Sequence, residues 1–121
     1  MALSSTPLGN DFTSRSVAQT TATTDVDKDV IRTSGKWYEF FIENGNSSIV
    51  YVLVYDAKTA TAAGTEPDWV FSVPANKAIT VCNPTGASFS TGLSFACRNE
   101  AGGAVSSTNP SSAVKVRVVT S

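Results

Sequence analysis

The stretch Ser48-Ile-Val-Tyr-Val-Leu-Val-Tyr-Asp56 is apolar at seven consecutive positions between a serine and an aspartate. A strand with one wet face alternates with period two, whereas a strand covered on both faces is an unbroken apolar run. Ile49 to Tyr55 is therefore expected in the middle of a sheet, with the core on one side and a second cover on the other. In a chain of 121 residues that second cover is expected to be a partner surface.

The remaining segments carry strand signals of the same kind. Asp25 to Ile31 alternates loosely until Gly35 interrupts it. Lys36 to Glu43 follows, with Tyr38, Phe40 and Ile42 expected on one face and Trp37, Glu39 and Phe41 on the other. Asn44-Gly45-Asn46 is a hairpin signal because Asn-Gly accepts the positive φ of tight turns, so the apolar strand is expected to pair back on residues 36 to 43. A turn-rich loop over 57–67 precedes short strands over Asp68–Val73, Ala78–Cys82 and about Thr91–Arg98, with turns at 74–77 and 83–86. Val114, Val116 and Val118 alternate with Lys115 and Arg117 in the clearest period-two stretch. No segment longer than about ten residues has a helical period. The fold class expected is all-β, an antiparallel sandwich or barrel of about six to eight short strands.

Residues 1–24 differ from the rest. Ten of them are Ser or Thr, and Leu3, Leu8, Phe12 and Val17 are spaced without a period, so the segment has too little apolar surface to offset its ordering entropy. The expected organisation is an extended N-terminal arm over 1–24 and a sandwich domain over 25–121. The arm is expected to lie on a neighbouring subunit through Leu3, Leu8, Phe12 and Val17, with Trp37 and Trp69 as further contact residues.

The chemistry is sparse. The chain has no histidine, which removes the commonest general base and metal ligand and every Ser-His or Cys-His pair. Asp25-x-Asp27-x-Asp29 opens like a calcium loop, but Val30 stands where the sharp turn needs glycine and Lys36 where a bidentate carboxylate is needed. Three acids on one strand instead mark a solvated edge that resists strand addition. Strand parity sends Cys82 away from the core and puts Cys97 with Leu93 and Phe95, so two free thiols are expected rather than a disulfide. Lys+Arg number 9 against 10 for Asp+Glu, without a basic run, so a nucleic-acid partner is not expected. No apolar run approaches the roughly 20 residues of a membrane helix. The first residues lack the basic and apolar regions of a secretory signal, so a cytoplasmic protein is expected. Neither an enzyme nor a catalytic residue, metal or cofactor is expected.

Tyr51-Val-Leu-Val-Tyr-Asp-Ala57, then Gly64 and Pro67, Val73-Pro74, and Phe89-Ser-Thr-Gly-Leu-Ser-Phe-Ala96 together resemble a group of small tailed-bacteriophage virion proteins. That group shares a strand ending in a Tyr-Asp/Asn-Ala step, a Gly-x-x-Pro loop, a Val-Pro turn and a later Phe-x-x-Gly-Leu-x-x-Ala strand. The likeness covers roughly residues 36–120. It departs from the group's pattern at Cys97-Arg98-Asn99-Glu100, where relatives continue with Ser-Thr. The resemblance implies a β-rich capsid- or tail-associated protein present in many symmetric copies, assembled in the bacterial cytoplasm and located in the virion. The function expected is decoration or cementing of the capsid, with the major capsid protein and neighbouring copies of itself as partners. The alternative is a tail or fibre module that stacks a host-surface glycan on Trp37, Tyr38 and Trp69, with Tyr51 and Tyr55 as further platform aromatics.

Overall fold

The structure, a computed structural model, describes residues 33–57, 65–101, 110–112 and 114–120, and the backbone of 13–19 and 27–31. Eight strands follow one another: β1 (Thr13–Gln19), β2 (Asp27–Ile31), β3 (Gly35–Asn44), β4 (Val50–Tyr55), β5 (Trp69–Val73), β6 (Lys77–Phe89), β7 (Leu93–Arg98) and β8 (Val114–Thr120). They form two antiparallel sheets in the orders β1-β8-β3-β6 and β2-β7-β4-β5. The centres β8-β3-β6 and β7-β4-β5 are three-stranded, and β1 and β2 extend one edge of each. The fold is all-β, a small β-sandwich.

Only the β4–β5 connection stays within one sheet; each other connection crosses between them. This alternation, with first and last strands side by side, is the strand order of a jelly roll, two Greek keys wrapped into facing sheets. Asn44-Gly45-Asn46 is accordingly not a hairpin. It carries the chain from β3 across to β4, which pairs with β5 and β7 instead of β3. Gly45 does not take a positive φ; among the described residues that conformation belongs to Asn76 and Gly86.

The core lies between the sheets. Val50, Val52, Val54, Leu93, Phe95 and Cys97 face Phe40, Ile42, Val114, Val116 and Val118 across it. Lys115 and Arg117 stay exposed between the buried valines, as the alternation of β8 requires. Burying each such side chain stabilises the fold by about 1.5–3 kcal/mol before ordering costs.

The parity expected for β3 fails near its start. Trp37 and Glu39 are opposite Thr120 and Val119 on β8, so Tyr38 is an extra residue on β3. On the other side the same two residues are opposite Ala87 and Cys82, so Asn83 to Gly86 bow outwards in a wide bulge. One inserted residue reverses the face of everything before it. Trp37 therefore joins Phe40 and Ile42 inside, at 3% exposure, instead of pointing outwards with Glu39. There it meets Phe40, Trp69 and Phe71 edge-on, with ring centroids 5.1, 5.9 and 5.7 Å away, and these contacts join the two sheets.

β6 also runs further than expected. Residues 83–86, expected as a turn, lie within its 13 residues. The strand tolerates Pro84 because β6 is an edge, where a missing N–H breaks no ladder. Gly86 is required by the bulge: its φ is +81°, and a Cβ there would come 2.8 Å from Lys36 Cδ and 2.9 Å from Tyr38 Cε1.

Candidate functional site

The outer face of the second sheet was expected to need a partner for its cover. Leu53, Tyr55 and Ala96 form a second apolar cluster there, at 1%, 5% and 1% exposure within the single chain. Ser94 and Arg98, on the same side of β7, are buried as well. From Val50 to Tyr55 the strand is thus covered on both faces within the single chain, with Tyr51 half-buried, while Ile49 is exposed; this cover is not a partner's. Burial raises the Tyr55 hydroxyl pKa above its ordinary value; Arg98 opposes that and Glu66 adds to it.

Of the residues expected at a partner surface, Trp37 and Trp69 pack on each other inside the sandwich. Leu3, Leu8 and Phe12 lie outside the described residues. Val17 belongs to β1 at the register position opposite Val116, so residues 13–19, expected within an extended arm, are an edge strand of the sandwich. Trp37 is in the core, which removes it from any surface of the folded chain. Trp69 is half-buried against it. Tyr51 and Tyr55 lie on the opposite side of β4 from the core, so the five aromatics expected as a stacking platform share no face.

Two of the resemblance segments meet at one end of the sandwich; Val73-Pro74 lies at the other end, and Gly64 lies outside the described residues. The Asp56 carboxylate, just past β4, accepts from the backbone N–H groups of Ser90, Thr91 and Gly92 at 2.9, 2.8 and 3.3 Å. The Ser90 hydroxyl donates to it at 3.1 Å. Partial burial pushes this carboxyl upward, but the three backbone donors and the hydroxyl outweigh it and hold the group below the ordinary carboxylate value. The Asp56 N–H in turn donates to the Asp68 carboxylate at 2.7 Å, and the Asp68 N–H donates to the Val54 carbonyl at 2.9 Å. The Tyr-Asp-Ala step and the Phe-Ser-Thr-Gly-Leu segment are two halves of one clip. Asp56 thus acts across 34 residues or more.

The other end is tied by two buried asparagines. Asn44 Nδ2 donates to the carbonyls of Ser48, Val73 and Pro74, and its Oδ1 accepts from the Asn46 backbone and side chain. Asn46 Oδ1 accepts from the Ser112 N–H at 2.7 Å and from the hydroxyls of Ser111 and Ser112. Beside this knot, Glu43, Asn76, Lys77, Ala78 and Lys115 line an open groove of about 460 Å³. One carboxylate and two ammonium groups in such a groove offer exposed ion pairing, worth about 0–1 kcal/mol a pair. Among the described residues no three His, Cys, Asp or Glu side chains are grouped to hold a metal ion, and no helix is long and apolar enough to cross a membrane. Cys82 is exposed and Cys97 buried, and neither is in a disulfide.

No family model, curated protein or solved structure matches the chain.

Proposed function

We propose that this chain is a virion structural protein that decorates or cements a phage capsid, seated between major capsid subunits. The observation that carries the reading is the jelly-roll strand order, with two segments of the virion-protein resemblance clipped together by Asp56. Viral capsid proteins use that architecture, and so do lectins, so the support is analogy of fold joined to the likeness in sequence. The lectin-like alternative loses its platform, because Trp37 is buried and Trp69 leans on it.

The mechanism is burial of apolar area at subunit junctions, about 25 cal/mol per Å² before association costs. Residues 1–12, with Leu3, Leu8 and Phe12, precede β1 and are the contact segment. Repetition over a symmetric shell makes weak single contacts sufficient.

The test is removal of residues 1–12, which spares β1 and its seven-residue pairing with β8. Purified full-length and truncated chains are mixed with empty capsids, and the copies retained per major capsid subunit are counted. Full-length chain retained in a fixed ratio, with the truncated chain folded but largely lost, supports the reading. Failure of the full-length chain to bind capsids refutes it, and equal occupancy by both forms refutes the role of residues 1–12.

A further inference from the structure

The four sheet edges are unequally defended against strand addition. Edge strands are normally guarded by charges, proline, bulges or irregular pairing. β6 carries Lys77, Pro84 and the wide bulge at 83–86. β2 carries Asp27, Lys28 and Asp29, and its register against β7 shifts between Asp27 and Ile31. β1 carries Arg15 opposite the core residue Val118. β5, Trp-Val-Phe-Ser-Val, has no charge, no proline and no glycine. It pairs with β4 in unbroken register from Val50↔Val73 to Val54↔Trp69, and among the described strands it has no neighbour on its other side. Val70 on this edge is 42% exposed, one of two large apolar side chains left so among the described residues.

We infer that β5 is a strand-addition edge that pairs antiparallel with β5 of a second copy of this chain across a two-fold axis. The sequence of the strand is what selects a second copy. With Phe71 on the axis, Val70 of one copy faces Ser72 of the other, and Trp69 faces Val73. Identical strands repel when they carry charge, and this one carries none. Asp68 would fall opposite Pro74, which lacks an N–H, so the pairing ends there without setting aspartate against aspartate. The two four-stranded sheets would join into one of eight, closing both open edges by an isologous contact.

Sedimentation equilibrium of the full chain over a wide concentration range tests this. The expected result is a monomer–dimer equilibrium, with backbone amides of 69–73 gaining hydrogen-exchange protection as dimer accumulates. Val70→Lys and Ser72→Lys, both outward on the edge, weaken the dimer by about tenfold or more. Thr80→Lys, exposed on β6, leaves it unchanged. Circular dichroism melting of each variant shows that the fold is kept. A wild-type chain monomeric at every concentration overturns the inference, as does a dimer indifferent to Val70→Lys and Ser72→Lys. A chain monomeric alone whose β5 amides become protected only on capsids overturns the second copy as occupant. The sedimentation and variant results do not depend on capsid binding, so the inference and the proposed function fail separately.

Discussion

Asp56 links β4 to the β6–β7 turn through four donors to one carboxylate, and its removal has a calculable cost. A side-chain acceptor at a helix N-cap, which satisfies one or two backbone N–H groups, is worth about 1 kcal/mol. Hydrogen bonds to a charged acceptor run to about 1.5–3 kcal/mol each when shielded from water. The Ser90 and Thr91 bonds are exposed and only the Gly92 bond is partly buried, so their donors recover most of their hydration when the carboxylate goes. The expected loss for Asp56→Ala is about 1.5–2.5 kcal/mol, and about 1 kcal/mol for Asp56→Asn, which keeps one acceptor oxygen. With a urea m-value of about 1.3 kcal/mol/M, the alanine variant's midpoint falls by about 1–2 M at pH 7.

The pH dependence separates this account from simple loss of packing. The folded-state pKa of Asp56 is lowered from its ordinary value of 3.8. Its contribution is therefore fully present above that value and disappears as pH falls through the lower folded value. Urea titrations of wild type and Asp56→Asn at pH 7 should differ by the full amount, and the gap should narrow as the pH is lowered from 3.8 towards 2. A gap that stays the same size over that range would refute the reasoning, because it would show that the carboxylate's charge does not hold the clip.

Gly86→Ala should cost about 1–2 kcal/mol from the left-handed backbone alone, with further strain where its Cβ meets Tyr38, and lower the Tm by about 5–10 °C. Gly45→Ala, with nothing within 4 Å of its Cβ, is the near-neutral comparison in the same calorimetric scan. A thiol reagent should modify Cys82 at once in the native chain and Cys97 only on unfolding. Two fast thiols, or none, would contradict the placement of β6 and β7.

Where local pattern decides a feature, the sequence shows it. The unbroken run of β4 announces burial on two faces, and the alternation of β8 is enough by itself to assign Val114, Val116 and Val118 inward. The parity of Cys82 and Cys97 holds for the same reason: the pleat has period two and no bulge intervenes in β7. Trp37 defeats this kind of reading. Its face depends on whether Tyr38 is counted in the pleat, and that is settled by the register of β8 on one side and by Gly86 on the other. Asn44-Gly45-Asn46 fails differently. A tight hairpin is its best local use, but Asn44 and Asn46 find buried partners at Val73, Pro74 and Ser112, which only a crossing between sheets brings near.

The surface residues were the least legible, because exposure is set by strand order more than by residue type. Trp37 and Trp69 have the character of contact residues, yet the crossing of β3 over β5 turns them onto each other. Val70 is an ordinary strand residue in Trp-Val-Phe-Ser-Val, and it matters only because β5 ends its sheet while the other edges carry charges, a proline or bulges. The resemblance motifs show the same dependence on topology. Asp56 and Ser90-Thr91-Gly92 are far apart in sequence and become one structural unit only when β4 and the β6–β7 turn reach the same end of the sandwich. Together they form the clip that closes this end of the sandwich. The contacts proposed for the β5 edge and for residues 1–12 use none of these clip residues, so edge charges and truncation test them separately from it.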